Sequence, residues 1–440
     1  MQKRSGEAVA ERRTLRSRLG KVFLDTRPLR YPAYRRLWLS NIVTSVGAQV
    51  SSVAVPKQVY DLTGSSAYVG LAGLFGLVPL LVFGLWGGAI ADTVDRRRLL
   101  LVTNGGLAVT AVLLWLVAAA GVPSVWLVLV LFAAQQTFFA VNMPTRGAAI
   151  ARLLPLHLLP SAQALGTTVF QLGAITGPLL AGMLLPLLGL PALYLIDAIA
   201  LCAALWAVLR LPPLPPNEGA PARAGLRSIL DGFRYLTLHK VLLASFLMDI
   251  IAMVFGMPRA LFPEMAERTF GDPPGGGVAL GLLFAAIPLG AFVFGVLSGW
   301  LHRVQRHGVG VTVGVVAWGV AVIGFGMSDA LWPAVLFLAV GGGADLVSMV
   351  YRSAMLQAAA TDEMRGRMQG VFTVVVAGGP RLADVLHGAG GAVVGTGAAV
   401  AGGGALVVFF AILAVFCLPA FWRYRAPQES DEPAEKANAE

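Results

Sequence analysis

The sequence predicts an all-α polytopic membrane protein with twelve transmembrane helices in two six-helix repeats and both termini cytoplasmic. Three observations carry this. The 440 residues are 57% hydrophobic and only 13% charged, with a mean hydropathy of +0.75, whereas soluble domains are about 25% charged. Apolar runs of roughly 20 residues recur along the chain, each able to cross about 30 Å of hydrocarbon as a helix. The basic residues, finally, fall on one side of the alternation that those runs impose.

The spans are predicted at about 37–58, 66–90, 99–120, 124–145, 163–186, 190–210, 241–262, 278–300, 309–327, 331–352, 368–392 and 397–420. With the N-terminus inside, all of the 33 Lys and Arg residues except Lys57, Arg259, Arg268 and Arg381 are cytoplasmic. That split obeys the positive-inside rule, and an odd number of spans would break it.

Between and around the spans, residues 1–36 form a basic tail with eleven Lys and Arg against three acids. The tail has no apolar core of the kind a signal peptide needs. It accounts for much of the net charge of +10 and suits anionic lipid headgroups rather than nucleic acid. A first bundle covers 37–210 and a second 241–420. The cytoplasmic linker 211–240 opens with LPPLPPNEGAPARAG, an extended spacer. It continues as GLRSILDGFRYL, whose apolar and basic residues at helical spacing suit the inner membrane surface. Residues 421–440 are polar and net acidic, the composition of a disordered tail.

The halves repeat. A shift of 209 lays GLAGLFGLVPLLVFG at 70–84 on ALGLLFAAIPLGAFV at 279–293, with Val69, Leu71, Leu74, Phe75, Pro79, Leu80 and Phe83 meeting identical residues. Arg97 lands on Arg306; Arg146 and Arg352, and Pro178 and Pro380, correspond at similar offsets. Parallel six-helix repeats are a transporter architecture.

One charged stretch interrupts the apolar runs: GAIADTVDRRR, 88–98. It resembles the loop between the second and third helices of the major facilitator superfamily, with Gly88, Asp92, Arg96 and Arg97 in the motif places. Thr93 stands where many members have Arg, and Asp95 where many have Gly. The second-half equivalent, GWLHRVQRHG, has Leu301 opposite Asp92. NMPTRGAAIARLLPLHLLPSAQALGTT (142–168) and TDEMRGRMQG (361–370) are similar to inner loops of the drug/proton-antiporter and siderophore-exporter (enterobactin-exporter-like) branches. GAITGPLLAG (173–182) resembles the glycine–proline segment of antiporters, without the usual double glycine after Pro178. The resemblance runs from about residue 30 to 420. It implies a cytoplasmic gate of Gly88, Asp92, Arg96, Arg97, Arg146 and Arg352, asymmetric because its acid is missing from the second half. The plainer reading of the arginines is an orientation anchor.

Asp197, Asp249, Asp345, Arg381 and Asp384 fall within spans, where each charge costs at least about 2.5–3.5 kcal/mol at mid-helix and must face water or a partner. In the fold that the resemblance implies, helices seven and ten line the cavity and eleven flanks it. Arg381 and Asp384, three apart, can pair. Asp249 and Asp345, taken as unpaired, are the better proton carriers, since an unpaired buried acid is the one that neutralises. A satisfied polar network without a proton role is the alternative. Asp197 lies on the usually peripheral sixth helix and carries less functional weight. Polar stripes run along the first half: Asn41, Ser45, Gln49 and Ser52, then Gln135, Asn142 and Arg146, with Gln171 beyond. These residues suit the cavity or interhelical hydrogen bonding equally. Gly173, Gly177, Gly295 and Gly299 permit close helix approach, and Pro79, Pro178, Pro288 and Pro380 permit bends.

There is no nucleotide-binding glycine loop. His157, His239, His302, His307 and His387 are too scattered for a metal set, and Cys202 and Cys417 read as buried structural thiols. No cofactor is expected beyond a proton gradient. The sequence therefore points to a secondary transporter rather than an enzyme, monomeric in the cell membrane. It would export a hydrophobic drug-like or siderophore-like small molecule by alternating access. A solute importer of the same fold is the alternative. A polytopic membrane enzyme would need a clustered His/Asp/Glu or Cys site, which these residues do not assemble.

Overall fold

Helix starts and stops follow from local chemistry. Thr63 ends α1 (Pro32–Thr63) at Gly64, whose φ of 61° is the left-handed conformation that closes a helix. Ser65 accepts the Ala67 N–H at 3.3 Å and starts α2 (Ser66–Thr93). Asp95 accepts the Arg98 N–H at 3.0 Å and starts α3 (Arg96–Ala119). Ser124 does the same for α4 (Val125–Leu153) through the Leu127 N–H at 3.3 Å. Each cap satisfies one of the donors that a helix start leaves open. The computed structural model describes residues 25–215, 234–359 and 362–425, without side-chain surroundings at 85, 87–89, 91, 92, 302, 303, 359, 362–374 and 377. Within these residues the chain is helical and contains no strand.

The fifth and sixth predicted spans join into α5 (Leu159–Leu209), broken only at Gly189, where φ 74° and ψ 173° leave helical space. Register along α1 shows that the chain reverses there. On the first arm, Gly173 lies against Ser45 and Gly177 against Gln49. On the second, Tyr194 bonds Gln58, Asp197 bonds Ser51, and Ala200 lies against Gly47. One arm ascends α1 and the other descends it. The second half contains α6 (Lys240–Gly256), α7 (Phe262–Arg268), α8 (Val278–Val296), α9 (His307–Gly326), α10 (Leu331–Ala359), α11 (Asp362–Val394), α12 (Thr396–Cys417) and the short α13 (Pro419–Trp422). The predicted span 241–262 is interrupted: α6 ends before Met257–Pro258, and a 3-10 turn, Arg259–Leu261, leads into α7.

Among the described residues nine segments are long and apolar enough to cross a membrane, the whole of Leu156–Leu209 counting as one. The long helices α1 and α11 fall outside that set. Both meet the opposite half, α11 on α2 and α1 through Lys57 and Glu267. Exposed Val102, Val109, Leu113 and Leu116 on α3 and Leu406, Phe409, Ile412, Leu413 and Phe416 on α12 present apolar flanks suited to lipid.

Both halves start and end at one face. The Arg36 guanidinium donates to the Arg210 carbonyl at 3.2 Å, and Phe421 lies against Gly308. We call this the tail face, and the side bearing Gly64, Gly121, Gly189 and Gly395 the far face. The halves meet reciprocally: α2 of the first packs on α11 of the second, and α8 of the second on the first arm of α5. Gly70 and Gly73 lie against Asp384, Gly388 against Ser66 and Gly70, and Gly182 against Gly281. With lipid as apolar as the interior, such close backbone approach replaces a hydrophobic driving force.

Candidate functional site

α6, α10 and α11 carry acids and arginines toward one another in the second half. Arg352 of α10, with its side chain 3% exposed, lies 2.6 Å from Asp249 of α6 and 3.8 Å from Asp345, one face of α10 nearer the far end. Proximity and charge hold the first pair: Arg352 Nε and Nη1 and both Asp249 oxygens lack an aligned hydrogen bond. A low-dielectric site demands such pairing, because removing a lone charge from water is costly. Asp249 and Asp345 are therefore not the unpaired acids that the sequence led us to expect. Arg352, expected at the cytoplasmic gate, lies with these two acids instead.

Arg381 and Asp384 of α11 share a face, as predicted, but form no ion pair. The Arg381 guanidinium stands 5.4 Å from the centre of the Phe132 ring on α4, across the junction between halves, and lies beside Gly76. Asp384 packs against Gly73. Arg259, among the few basic residues off the cytoplasmic side, lies on the 3-10 turn that interrupts the predicted span 241–262, within electrostatic range of Asp384 and Asp345. Of these second-half charges, Arg381 and Asp384 meet the first half, while Arg352, Asp249 and Asp345 group within the second.

The first half contributes differently. Asn41 lines a cavity of about 210 Å³ near the tail face, together with Tyr34, Trp38, Arg146 and Gln163. Arg146 donates to the Leu37 carbonyl at 2.9 Å, a contact within its own half. Gln49 accepts from Ser52 and lies against Gly177, while Gln171 is half-buried on α5. Asn142 is no cavity wall. It donates to Thr103 of α3 at 2.8 Å and is 8% exposed, an interhelical bond. Gln135 is equally buried and approaches Asp197.

The stretch GAIADTVDRRR also differs from expectation. Gly88 and Asp92 lie in the last turns of α2, and their surroundings fall outside the described residues. Asp95 uses one oxygen to cap α3 and the other to accept the Leu214 N–H at 2.9 Å. The Arg96 N–H donates to the Leu214 carbonyl at 3.0 Å, its guanidinium to Pro215 at 3.0 Å, and Arg97 to Leu209 at 2.8 Å. These residues grip the start of the linker within their own half. Leu211 and Leu214 are buried with Leu37, Leu100, Ala149 and Val208, so the proline-rich spacer begins docked. Most of GLRSILDGFRYL, the tail to residue 24 and residues 426–440 lie outside the described residues.

The far face holds a clasp that the sequence reading missed. Lys57 of α1, 1% exposed, bonds Asp61 one turn on and Glu267 of α7 at 3.1 Å. Ser66 donates to Glu264, which also pairs with Arg268 at 2.9 Å. The signal was present: Lys57 and Arg268 are among the few basic residues on the disfavoured side, and Asp61 stands four residues from Lys57.

Of the packing residues, Gly173 and Gly177 meet α1, the Pro178 carbonyl meets Gly281, and helix continues through Pro288 in α8 and Pro380 in α11. Gly295 touches only Leu346, and Gly299 faces open space. Cys202 and Cys417 are exposed rather than buried. His387 is a packed helix histidine, its Nδ1 at 3.0 Å from the Ala383 carbonyl.

Comparison with known proteins settles the family. The model of the transmembrane secretion effector family, within the major facilitator superfamily, matches residues 25–437. The chain belongs to that family. Enterobactin exporter EntS of Citrobacter koseri is 28% identical to this chain over 397 residues, covering 90% of this chain and 94% of the relative. EntS of Shigella boydii serotype 18 is also 28% identical, over 401 residues with 90% and 94% coverage. A bacterial homologue of the human lysosomal transporter Spinster, inward-facing and unoccupied, has the same fold. Its TM-score is 0.69 at 16% identity, over 90% of this chain and 97% of that one. The nucleoside transporter NupG gives 0.67 at 15% identity, over 89% and 100%. The chain is thus a multi-pass cell-membrane transporter for a small molecule, not an enzyme.

Proposed function

We propose that this protein exports a siderophore-like molecule of the enterobactin class, or a drug-like compound of similar hydrophobicity, driven by the proton gradient. Export proceeds by alternating access, through twelve crossings with both termini in the cytoplasm and one chain as the working unit. In this reading the tail face is cytoplasmic. α1 and α11 complete the set of crossings, and α5 supplies two. The observation that carries it is the 28% identity to enterobactin exporters across nearly the whole chain. The charge distribution supports it, with mixed arginines and acids buried in the second half and the Lys57–Glu267 clasp closing the far face. Such a state would take substrate from the cytoplasm. The arginines can accept oxygen-rich, partly anionic groups, and the aromatic surfaces can accept rings.

The test uses a bacterial strain that makes enterobactin and lacks its own exporters. Expression of this chain should raise external and lower internal enterobactin, and a protonophore should abolish the difference. Unchanged distribution would reject the substrate class. Export insensitive to the protonophore would reject proton drive. Gradient-driven uptake without efflux would favour an importer.

A further inference from the structure

Of Asp197, Asp249, Asp345 and Asp384, one has no cation near it among the described residues. Asp249 and Asp345 share Arg352, and Asp384 stands in the field of Arg381 and Arg259. Asp197, on the second arm of α5, is 1% exposed and has no ion pair among the described residues. Its Oδ2 accepts the Ser51 hydroxyl at 2.7 Å, while Oδ1 has no hydrogen-bond partner. The Gln135 side chain of α4 comes close without reaching hydrogen-bond alignment. Gly47 of α1 makes the space, since a Cβ there would stand 2.8 Å from Oδ1.

The groups that face this carboxyl are thus a hydroxyl and a glycine from α1 and an amide from α4. On its own helix the nearest titratable group is Tyr194, whose hydroxyl donates to Gln58 at 2.7 Å. Farther along α1, Lys57 is committed to Asp61 and Glu267. Among the described residues no basic group from α1, α3 or α4 compensates a charge at Asp197. An ionised carboxylate here would be buried with one aligned donor, a costly arrangement. A neutral acid fits: one oxygen accepts from Ser51, and a proton on the other has the Gln135 amide within a small rotation.

We infer that Asp197, with Ser51 and Gln135, is a proton-binding site of this transporter, occupied in the state described here. The site sits between the helices that would have to part for the proton to leave. Ser51 and Gly47 lie on α1, which runs from the Asn41 cavity at the tail face to the Lys57 clasp at the far face. Loss of the proton leaves a buried charge with the Ser51 hydroxyl as its one aligned donor, so deprotonation favours a state in which α1 separates from the second arm of α5 and admits water. The ligand is the proton itself, and no other co-reactant is needed. Only the use of this proton to drive export rests on the function proposed above.

The test separates the two claims. Infrared difference spectra of the full chain in lipid nanodiscs, between acidic and alkaline buffer, should show a protonated-carboxyl band. Asp197→Asn should remove that band, and Asp249→Asn should leave it. Ser51→Ala, which deletes only a hydroxyl, should shift it to higher wavenumber as the carbonyl loses its donor. A spectrum unaltered by both Asp197→Asn and Ser51→Ala overturns the site. In proteoliposomes with enterobactin as the probe, Asp197→Asn should retain exchange between equal pools and lose accumulation driven by a pH difference. Wild-type-like driven accumulation in that variant overturns the coupling role. A wild-type chain that moves no enterobactin rejects the proposed substrate, while the infrared result still decides the proton site.

Discussion

Lys57 of α1 and Glu267 of α7 form an ion pair at 3.1 Å that ties the two halves together at the far face. The lysine is almost fully buried, and Asp61 and Glu267 retain about a quarter of their side-chain exposure, at 26% and 29%. The pair therefore lies between the surface case, worth about 0–1 kcal/mol, and the buried case, where loss of one partner costs about 3–5 kcal/mol. Lys57→Met should weaken the closed far face by about 1–2 kcal/mol, roughly a 5–30-fold shift in the ratio of states. Hydrogen exchange in the turn 269–277 is the measurement. Faster exchange in Lys57→Met, with the tail-face segments unchanged, is expected. Uniform change along the chain would indicate general destabilisation instead.

A different outcome is expected at Arg352. Its removal leaves Asp249 buried and Asp345 nearby without their shared cation. Arg352→Ala should cost about 3–5 kcal/mol, more than Asp249→Asn, which leaves Arg352 close to Asp345. Thermal unfolding in detergent compares the single variants. The double variant Arg352→Ala/Asp249→Asn should recover part of the loss, because the worst buried charge is then gone. Strict additivity would mean that the two residues do not interact.

At the tail face, Asp25 accepts from Arg27 and from the Ser161 hydroxyl at 2.6 Å. These bonds, the Arg27 side chain first, hold its carboxyl well below the usual carboxylate range. A lowered folded value means that the stabilisation is complete above the unfolded value near pH 4 and is lost only as pH falls below it. The tether between residues 25–27 and the start of α5 should therefore survive acidification to about pH 5, whereas Asp25→Asn should release it at neutral pH. Limited proteolysis of the N-terminal segment reads the difference. Release between about pH 7 and 5 in the wild type would contradict the assignment.

The architecture was legible because the bilayer imposes it. Length, apolarity and the placement of Lys and Arg determine where helices cross, and all three are read along the chain. The pairing of charges was not. Asp249 and Arg352 stand 103 positions apart, and nothing in either local sequence says that α6 and α10 bring them together. Arg381 and Asp384 show the converse: helical spacing put them on one face, yet the Phe132 ring across the junction competes for the guanidinium. Asn142 could be read as a cavity residue or an interhelical one, because a polar group on a membrane helix has the same periodicity whether it faces water or a threonine on the next helix. Asp197 was discounted for its peripheral helix, although the absence of a nearby cation, visible only in three dimensions, distinguishes it.

The motif around residue 95 leads to the last prediction. Asp95 satisfies two backbone donors at once, the Arg98 N–H that begins α3 and the Leu214 N–H of the linker. Replacing a capping aspartate with alanine costs about 1 kcal/mol, while asparagine caps nearly as well. The linker contact adds a second consequence. With Leu214 released, Leu211 and Leu214 lose the bonds that hold them against Leu37, Leu100 and Val208, and the linker start becomes accessible. Asp95→Ala should therefore lower the thermal midpoint and also expose residues 211–215 to protease. Asp95→Asn should keep the cap, retain one acceptor for the linker and fall between wild type and alanine in cleavage rate. Arg96→Ala, which deletes the Pro215 contact but not the cap, should increase cleavage with little change in α3. If both aspartate variants leave the linker as resistant as wild type, the docking does not depend on Asp95, and burial of the leucines alone holds it.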